Sequence, residues 1–107
     1  MSMDGQTTIR YLQHYIRQRD CNPDALKDYF FKLTEEVGEL ALAMRKGAKA
    51  ADAAHIKGSI DEELWDVIYY ALAIANLYDI DVEEVIRAKV KLAEEKYPSG
   101  VKFETGR

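Results

Sequence analysis

Apolar positions along this chain recur at three- and four-residue steps instead of alternating, and that spacing predicts helices and no strands. Ile9, Leu12 and Ile16 share one face of a first helix that Thr7 or Thr8 can cap and that runs to about Arg19. "CNPD" breaks it, with Pro23 placed to open the next helix. That second helix is expected from about Asp24 to Lys46, with Leu26, Phe30, Leu33, Val37, Leu40 and Met44 as a core-facing stripe and Gly47 as its stop. "AKAADAAHIKG" follows as a small-residue connection with room for a helical turn. The third helix runs from about Ile60 to Tyr78, and in "VIYYALAIANLY" Asn76 alone is plainly polar. A helix that is apolar all round must be covered all round. A chain of 107 residues buries roughly 60–65% of its unfolded surface, so part of that cover is expected from a second copy. Asp81 and Glu84 make a capping box for a fourth helix, Val82 to about Lys96, which stops before "YPSG". The expectation is an all-α, four-helix bundle completed by oligomerisation. It is one domain over 1–107, with its core at about 8–98 and a loose polar tail at 99–107.

Composition narrows the function classes. At 48% hydrophobic and 32% charged residues, with two prolines, the chain has the make-up of a folded helical domain and not of a disordered one. Its net charge of -4 and pI near 5.2 give nothing to release counterions from a polyphosphate backbone, which excludes charge-driven nucleic-acid binding. The lone cysteine, Cys21, excludes an internal disulfide and a cysteine zinc site and fits a reducing compartment. With no basic-then-apolar leader, and no apolar run long enough to span a bilayer, the expected location is the cytoplasm, away from membranes.

The acidic residues carry the chemistry. Relative to the apolar stripe of the second helix, Glu36 lies about 75° and Glu39 about 135° to the same side, with Lys32 between them and Glu35 pointing away. On the third helix Glu63 and Asp66 are one turn apart, about 60° from one another, on a face continued by Tyr70, Ala73 and Leu77. Four carboxylates turned towards protein repel one another, and burial raises their pKa values until some hold protons. A divalent cation removes both costs, and an all-oxygen donor set suits Mg²⁺ or Mn²⁺ over zinc or copper. A solvated acidic face is the bland alternative for either pair alone. A di-iron carboxylate bundle needs Glu-x-x-His on two helices. Here His14 has Tyr11 three residues before it and His55 has Asp52, so the pattern is missing.

"EEVGE" from Glu35 to Glu39, then 23 residues, then "ELWD" from Glu63 to Asp66 resembles the E-E-x-x-E … E-x-x-D signature of the MazG-like, all-α nucleoside triphosphate pyrophosphohydrolases. "KLTEEVGELALAM", "DEELWDVIYYALAIAN", "DIDVEEVIRAKV" and the following "KYP" keep the family's order over roughly Leu26 to Pro98. The resemblance implies a helical protomer that assembles as a homodimer or homotetramer. It also implies Mg²⁺-dependent cleavage of a (deoxy)nucleoside triphosphate between the α- and β-phosphates, giving monophosphate and pyrophosphate in nucleotide-pool house-cleaning. By matching position, Glu36, Glu39, Glu63 and Asp66 would be metal ligands, and Glu35 would position or deprotonate the attacking water or serve a further metal. The sequence departs from the family at Ala93, where relatives often carry Asn four residues before the Tyr of the terminal "YP"; Lys89 and Lys96 remain.

Other residues divide between site and scaffold. Lys32 could meet a phosphate or pair with Glu36 at i,i+4. Lys89 and Lys96 are candidate phosphate contacts, as are Arg45, Lys46, Lys49 and Lys57 around the loop, where positive charge also complements a helix C-terminus. Asn76 needs a hydrogen-bond partner, from a base edge or from a neighbouring backbone. Trp65, Tyr69 and Tyr70 could stack on a base, although aromatics at helical spacing commonly build cores. The alternative to an enzyme is a helical dimerisation or regulatory module that binds nucleotide or metal without turnover.

Overall fold

The computed structural model describes residues 6–103. Four helices follow in order: α1 (Ile9–Arg19), α2 (Leu26–Lys46), α3 (Ile60–Leu77) and α4 (Val82–Lys96), with 3₁₀ turns at Pro23–Ala25 and Ala53–His55 and no strand among the described residues. Each boundary has a local cause. Thr8 caps α1 by accepting from the Tyr11 N–H at 3.0 Å. Asn22 caps the turn that carries Pro23, so α2 proper begins two residues later than the periodicity implies. Gly47 closes α2 in the left-handed conformation, φ 63°, and the next N–H, of Ala48, reaches back to the Ala43 carbonyl. Ser59 caps α3 through the Glu62 N–H, while the Glu62 carboxylate takes the N–H of Gly58.

The capping box expected of Asp81 and Glu84 is built differently. Asp81 Oδ1 accepts from the Glu83 N–H at 3.0 Å, and its Oδ2 is taken by Arg10 of α1 at 2.7 Å, so the cap also ties α4 to α1. No helix among the described residues is long and apolar enough to cross a membrane.

α2 and α3 form the most extensive helix pair, and α1 lies across α3 and touches α4. The core is Ile16, Tyr29, Leu72 and Ala73, flanked by Leu12, Ile74, Leu77 and Val82. Beside it sits a polar hub. Gln13 Nε2 donates to Asn76 Oδ1 (3.1 Å) and to the Ile80 carbonyl (2.8 Å), its Oε1 accepts from the Val82 N–H (3.0 Å), and Asn76 Nδ2 donates to the Gln13 carbonyl (2.9 Å). One buried amide pair thus fixes α1, the end of α3 and the start of α4 together.

Two expectations change. Along the α2 stripe Leu26, Leu33 and Leu40 are half-buried, but Phe30, Val37 and Met44 are 53%, 49% and 61% exposed. The tail is not free over its described part: Glu94 accepts from Ser99 N–H and Oγ and from Gly100 N–H at 2.6–2.7 Å. Residues 104–107 of the expected loose tail lie outside the described residues.

Asn76→Leu keeps the branched outline of the side chain, adds bulk, and removes the donor and acceptor that Asn76 gives the hub. Thermal unfolding is expected to register a loss of about 2 kcal/mol, a fall in Tm on the order of 10 °C for a domain of this size. An unchanged Tm would deny the hub its role.

Candidate metal centre

Three of the four expected metal ligands come together. Glu36 from the middle of α2 meets Glu63 and Asp66 from the first two turns of α3, and one oxygen of each lies within 4.8 Å of the others. The helical phases explain the meeting: the flank of α2 that carries Glu36 is the one laid against α3, and Glu63 and Asp66 share one edge of α3. The start of α3 also favours negative charge through its free N–H groups. Glu39 is exposed and is not among the three. Glu35 is exposed too, and it pairs with Lys32 at 3.2 Å, so the ion pair expected between Lys32 and Glu36 is instead with Glu35 one residue earlier.

Glu63 is the centre of strain. It is 7% exposed, and its Oε1 is buried with no hydrogen-bond partner among the described residues. Burial is the main cause pushing its pKa up to about 7, followed by a proton shared with Glu36 and by the charges of Glu36 and Asp66. When protonated, Glu63 can donate to Glu36; when ionised, its Oε1 accepts from nothing. Burial raises the Asp66 pKa as well, reinforced by Glu36 and Glu62 and opposed by a hydrogen bond with Glu63 and by Lys57. An orphaned carboxylate oxygen beside two further carboxylates, with no other donor type in the group, fits a hard divalent cation.

The centre opens onto a cleft of about 630 Å³. Glu36 and Asp66 form part of its wall, and Trp65, Tyr69 and Tyr70 of α3 form another. Trp65 and Tyr69 meet edge to face at 5.9 Å, as do Tyr69 and Tyr70 at 5.1 Å. The third wall comes from α1 and the corner after it: Tyr15, Arg19 and Asp20. Sequence reasoning gave these three no part in a site. Tyr15 and Arg19 sit one turn apart on the same flank of α1, a signal present in the spacing. What spacing lacks is the knowledge that this flank faces α3.

The remaining expected site residues lie elsewhere. Asn76 uses its side chain in the hub and also receives Arg17 Nη2 at 3.3 Å. Lys89 and Lys96 are exposed on α4, outside the cleft lining, with Lys96 over the Tyr97 ring at 5.4 Å.

A family model described as the MazG nucleotide pyrophosphohydrolase domain matches residues 25–101. The chain belongs to the MazG family. Two crystal structures of iMazG from Vibrio DAT 722 are similar to this MazG domain. The first has 39% identity and a TM-score of 0.78, covering 82% of this chain and 99% of that one. The second has 40% identity and a TM-score of 0.79, covering 86% and 99%. A protein of Bacillus subtilis (strain 168), the uncharacterized protein YpjD, is 42% identical over 55 residues, 50% of each chain. The MazG domain thus spans about half the length of that curated relative.

Since Glu63 is held above its ordinary 4.5, the metal-free fold carries a stabilising proton that is fully present below about pH 4.5 and lost as pH rises through about 7. Metal-free Tm is therefore expected to fall across that window, and added Mg²⁺ to raise Tm most at its upper end. Glu63→Gln should flatten both trends. Calorimetric scans from pH 5 to 8 with and without chelator check this, and a flat parental profile would contradict it.

Proposed function

We propose that this MazG domain is a Mg²⁺-dependent nucleoside triphosphate pyrophosphohydrolase, with Mn²⁺ as a possible substitute. It would cleave a (deoxy)nucleoside triphosphate between the α- and β-phosphates to release monophosphate and pyrophosphate, and so clear surplus or non-standard nucleotides in the cytoplasm. The observation that carries the reading is the joining of Glu36, Glu63 and Asp66, one of them buried and unpartnered, at the wall of an aromatic cleft. Family membership supports the reaction class.

In this reading Glu36, Glu63 and Asp66 would hold the cation, with Glu39, one turn along α2, as a fourth ligand. The cation would neutralise charge on phosphate oxygens and make a bound water more acidic. Glu35, kept at the surface by Lys32, would position or deprotonate the attacking water once substrate orders that flank. The three aromatic rings of α3 give a base a stacking platform. Phosphoryl transfer asks little more of a protein than such positioning and charge balance.

The same reading includes a homodimer or homotetramer. Two facts support assembly: the exposed half of the α2 stripe, and a radius of gyration of 16.2 Å where a compact domain of this length has about 13 Å. Sedimentation is expected to find a dimer or larger at micromolar concentration, and Val37→Glu to shift it towards monomer. A monomeric parent would remove this part.

The deciding test is chromatography of products from a panel of normal and modified triphosphates, with Mg²⁺ or chelator. Monophosphate and pyrophosphate should form with metal alone. Asp66→Asn is expected to lower kcat/KM on the order of 100-fold, about 2.7 kcal/mol, and Glu39→Ala to lower it less. No turnover of any triphosphate by the metal-loaded oligomer would defeat the reading.

A further inference from the structure

α2 carries a glycine that its own protomer does not require. Gly38 lies in the middle of that helix, where glycine is among the poorest helix formers, and a Cβ built on it would meet no atom within 4 Å. One face of the helix carries Gly38 together with Thr34 and Ala41, also small and also exposed. The rims of this face are large and apolar: Phe30, Phe31, Val37, Leu42 and Met44 are each 40% exposed or more. Between Lys27 and Arg45 the face has no charged residue, although 32% of the chain is charged. Thr34 donates its hydroxyl proton to the Phe31 carbonyl at 2.8 Å, so its polar group is already partnered. Small residues on a helix face let a second helix come close, and large ones beside them fill the flanks of the contact.

Resting on the oligomer in the reading above, we infer that this face pairs with the same face of a second copy. The two α2 helices run antiparallel about a two-fold axis between Val37 and Gly38. The spacing is its own complement. Turned end over end, Val37 meets the partner's Gly38, Thr34 the partner's Ala41 and Phe31 the partner's Met44. The two numbers in each pair add to 75, as a single axis requires. Bulk faces bulk only towards the ends, where Met44 can bend around a ring, and the centre stays thin. Phe30, Val37 and Met44 recur every seven residues, the repeat of a seam that runs along two helices at about 20° instead of crossing at a point. An unrelated partner would give the face no reason to match itself about its middle. The area agrees. The chain exposes 8238 Å², where a compact protein of 12.2 kDa exposes about 6,100 Å². That excess is of the size each partner gives up in an obligate interface, roughly 1,000–2,500 Å². Glu36 and Glu39 lie about 150° round α2 from the middle of this face, so the pairing leaves the metal centre and its cleft open.

Crosslinking reads the register. Thr34→Cys and Ala41→Cys are made separately in a Cys21→Ser background, which removes the chain's own exposed thiol, then mixed and mildly oxidised. The expected product is a disulfide dimer holding one copy of each. Either variant alone should link poorly, because its two thiols then stand about 10 Å apart along the helices, beyond the reach of a disulfide. Gly38→Gln gives a second readout, by sedimentation and thermal unfolding. On a free helix face the change improves helix formation and raises Tm. Here it is expected to raise the dimer Kd about tenfold or more, about 1.4 kcal/mol, and to lower Tm at micromolar concentration. Three results with a dimeric parent overturn the pairing and leave the pyrophosphohydrolase reading as it stands: no disulfide between positions 34 and 41, self-linked dimers in equal yield, or a Gly38→Gln variant with higher Tm and unchanged Kd. A monomeric parent overturns the pairing together with the oligomer of that reading. Product formation bears on the reading alone.

Discussion

Glu63 is buried next to two other acids, its Oε1 with no hydrogen-bond partner among the described residues, and the two helices that carry these acids hold that conflict in place. Left alone, the carboxyl resolves it by keeping a proton to about neutral pH. A cation resolves it without the proton. The arrangement persists because α2 and α3 make the most extensive helix contact in the chain and bring the three acids in on rigid elements. A carboxylate group on loops would relax apart. Here separation would mean unpacking two helices, so the acids stay together and the repulsion is met by a proton or by a cation.

The second requirement is that α1 stay docked, because the cleft has no third wall without it. Apolar contact through Ile16 supplies cohesion but little orientation, since such contacts are non-directional. The Gln13–Asn76 pair supplies the orientation, with each of its bonds specifying both distance and angle. Arg10 against Asp81 is more exposed and adds less. The polar hub therefore sets the rotation of α1, and with it where Tyr15 and Arg19 lie.

Much of this was legible in the residues. Spacing gave four helices, and α4 begins and ends where the caps implied. The paired phases of Glu36 on one helix and Glu63 and Asp66 on another were enough to foresee a shared site. Helical phase fixes angles about an axis and says nothing about how far apart two axes lie, which is why it does not tell that Glu39, about 60° further round than Glu36 in projection, stands outside the group that Glu36, Glu63 and Asp66 form in this structure. Asn76 looked equally suited to a base or a backbone because a lone buried amide declares a need and not its partner. Gln13, that partner, lies on the flank of the face that carries Ile9 and Ile16, and its position there does not say which group it meets. Asp20 sits in a helix break, where periodicity carries no information at all.

The hub also bears on the order in which the chain can fold. Its bonds span 63 to 69 residues of sequence, whereas Glu36 and Glu63 are brought together by closing one connection between consecutive helices. Loop closure grows costlier with the length of chain enclosed, though slowly, and contacts across long separations come late in assembly. The α2–α3 pair is thus the natural nucleus, and α1 joins after the corner between α3 and α4 has formed to receive it. The acids meet before the cleft beside them exists.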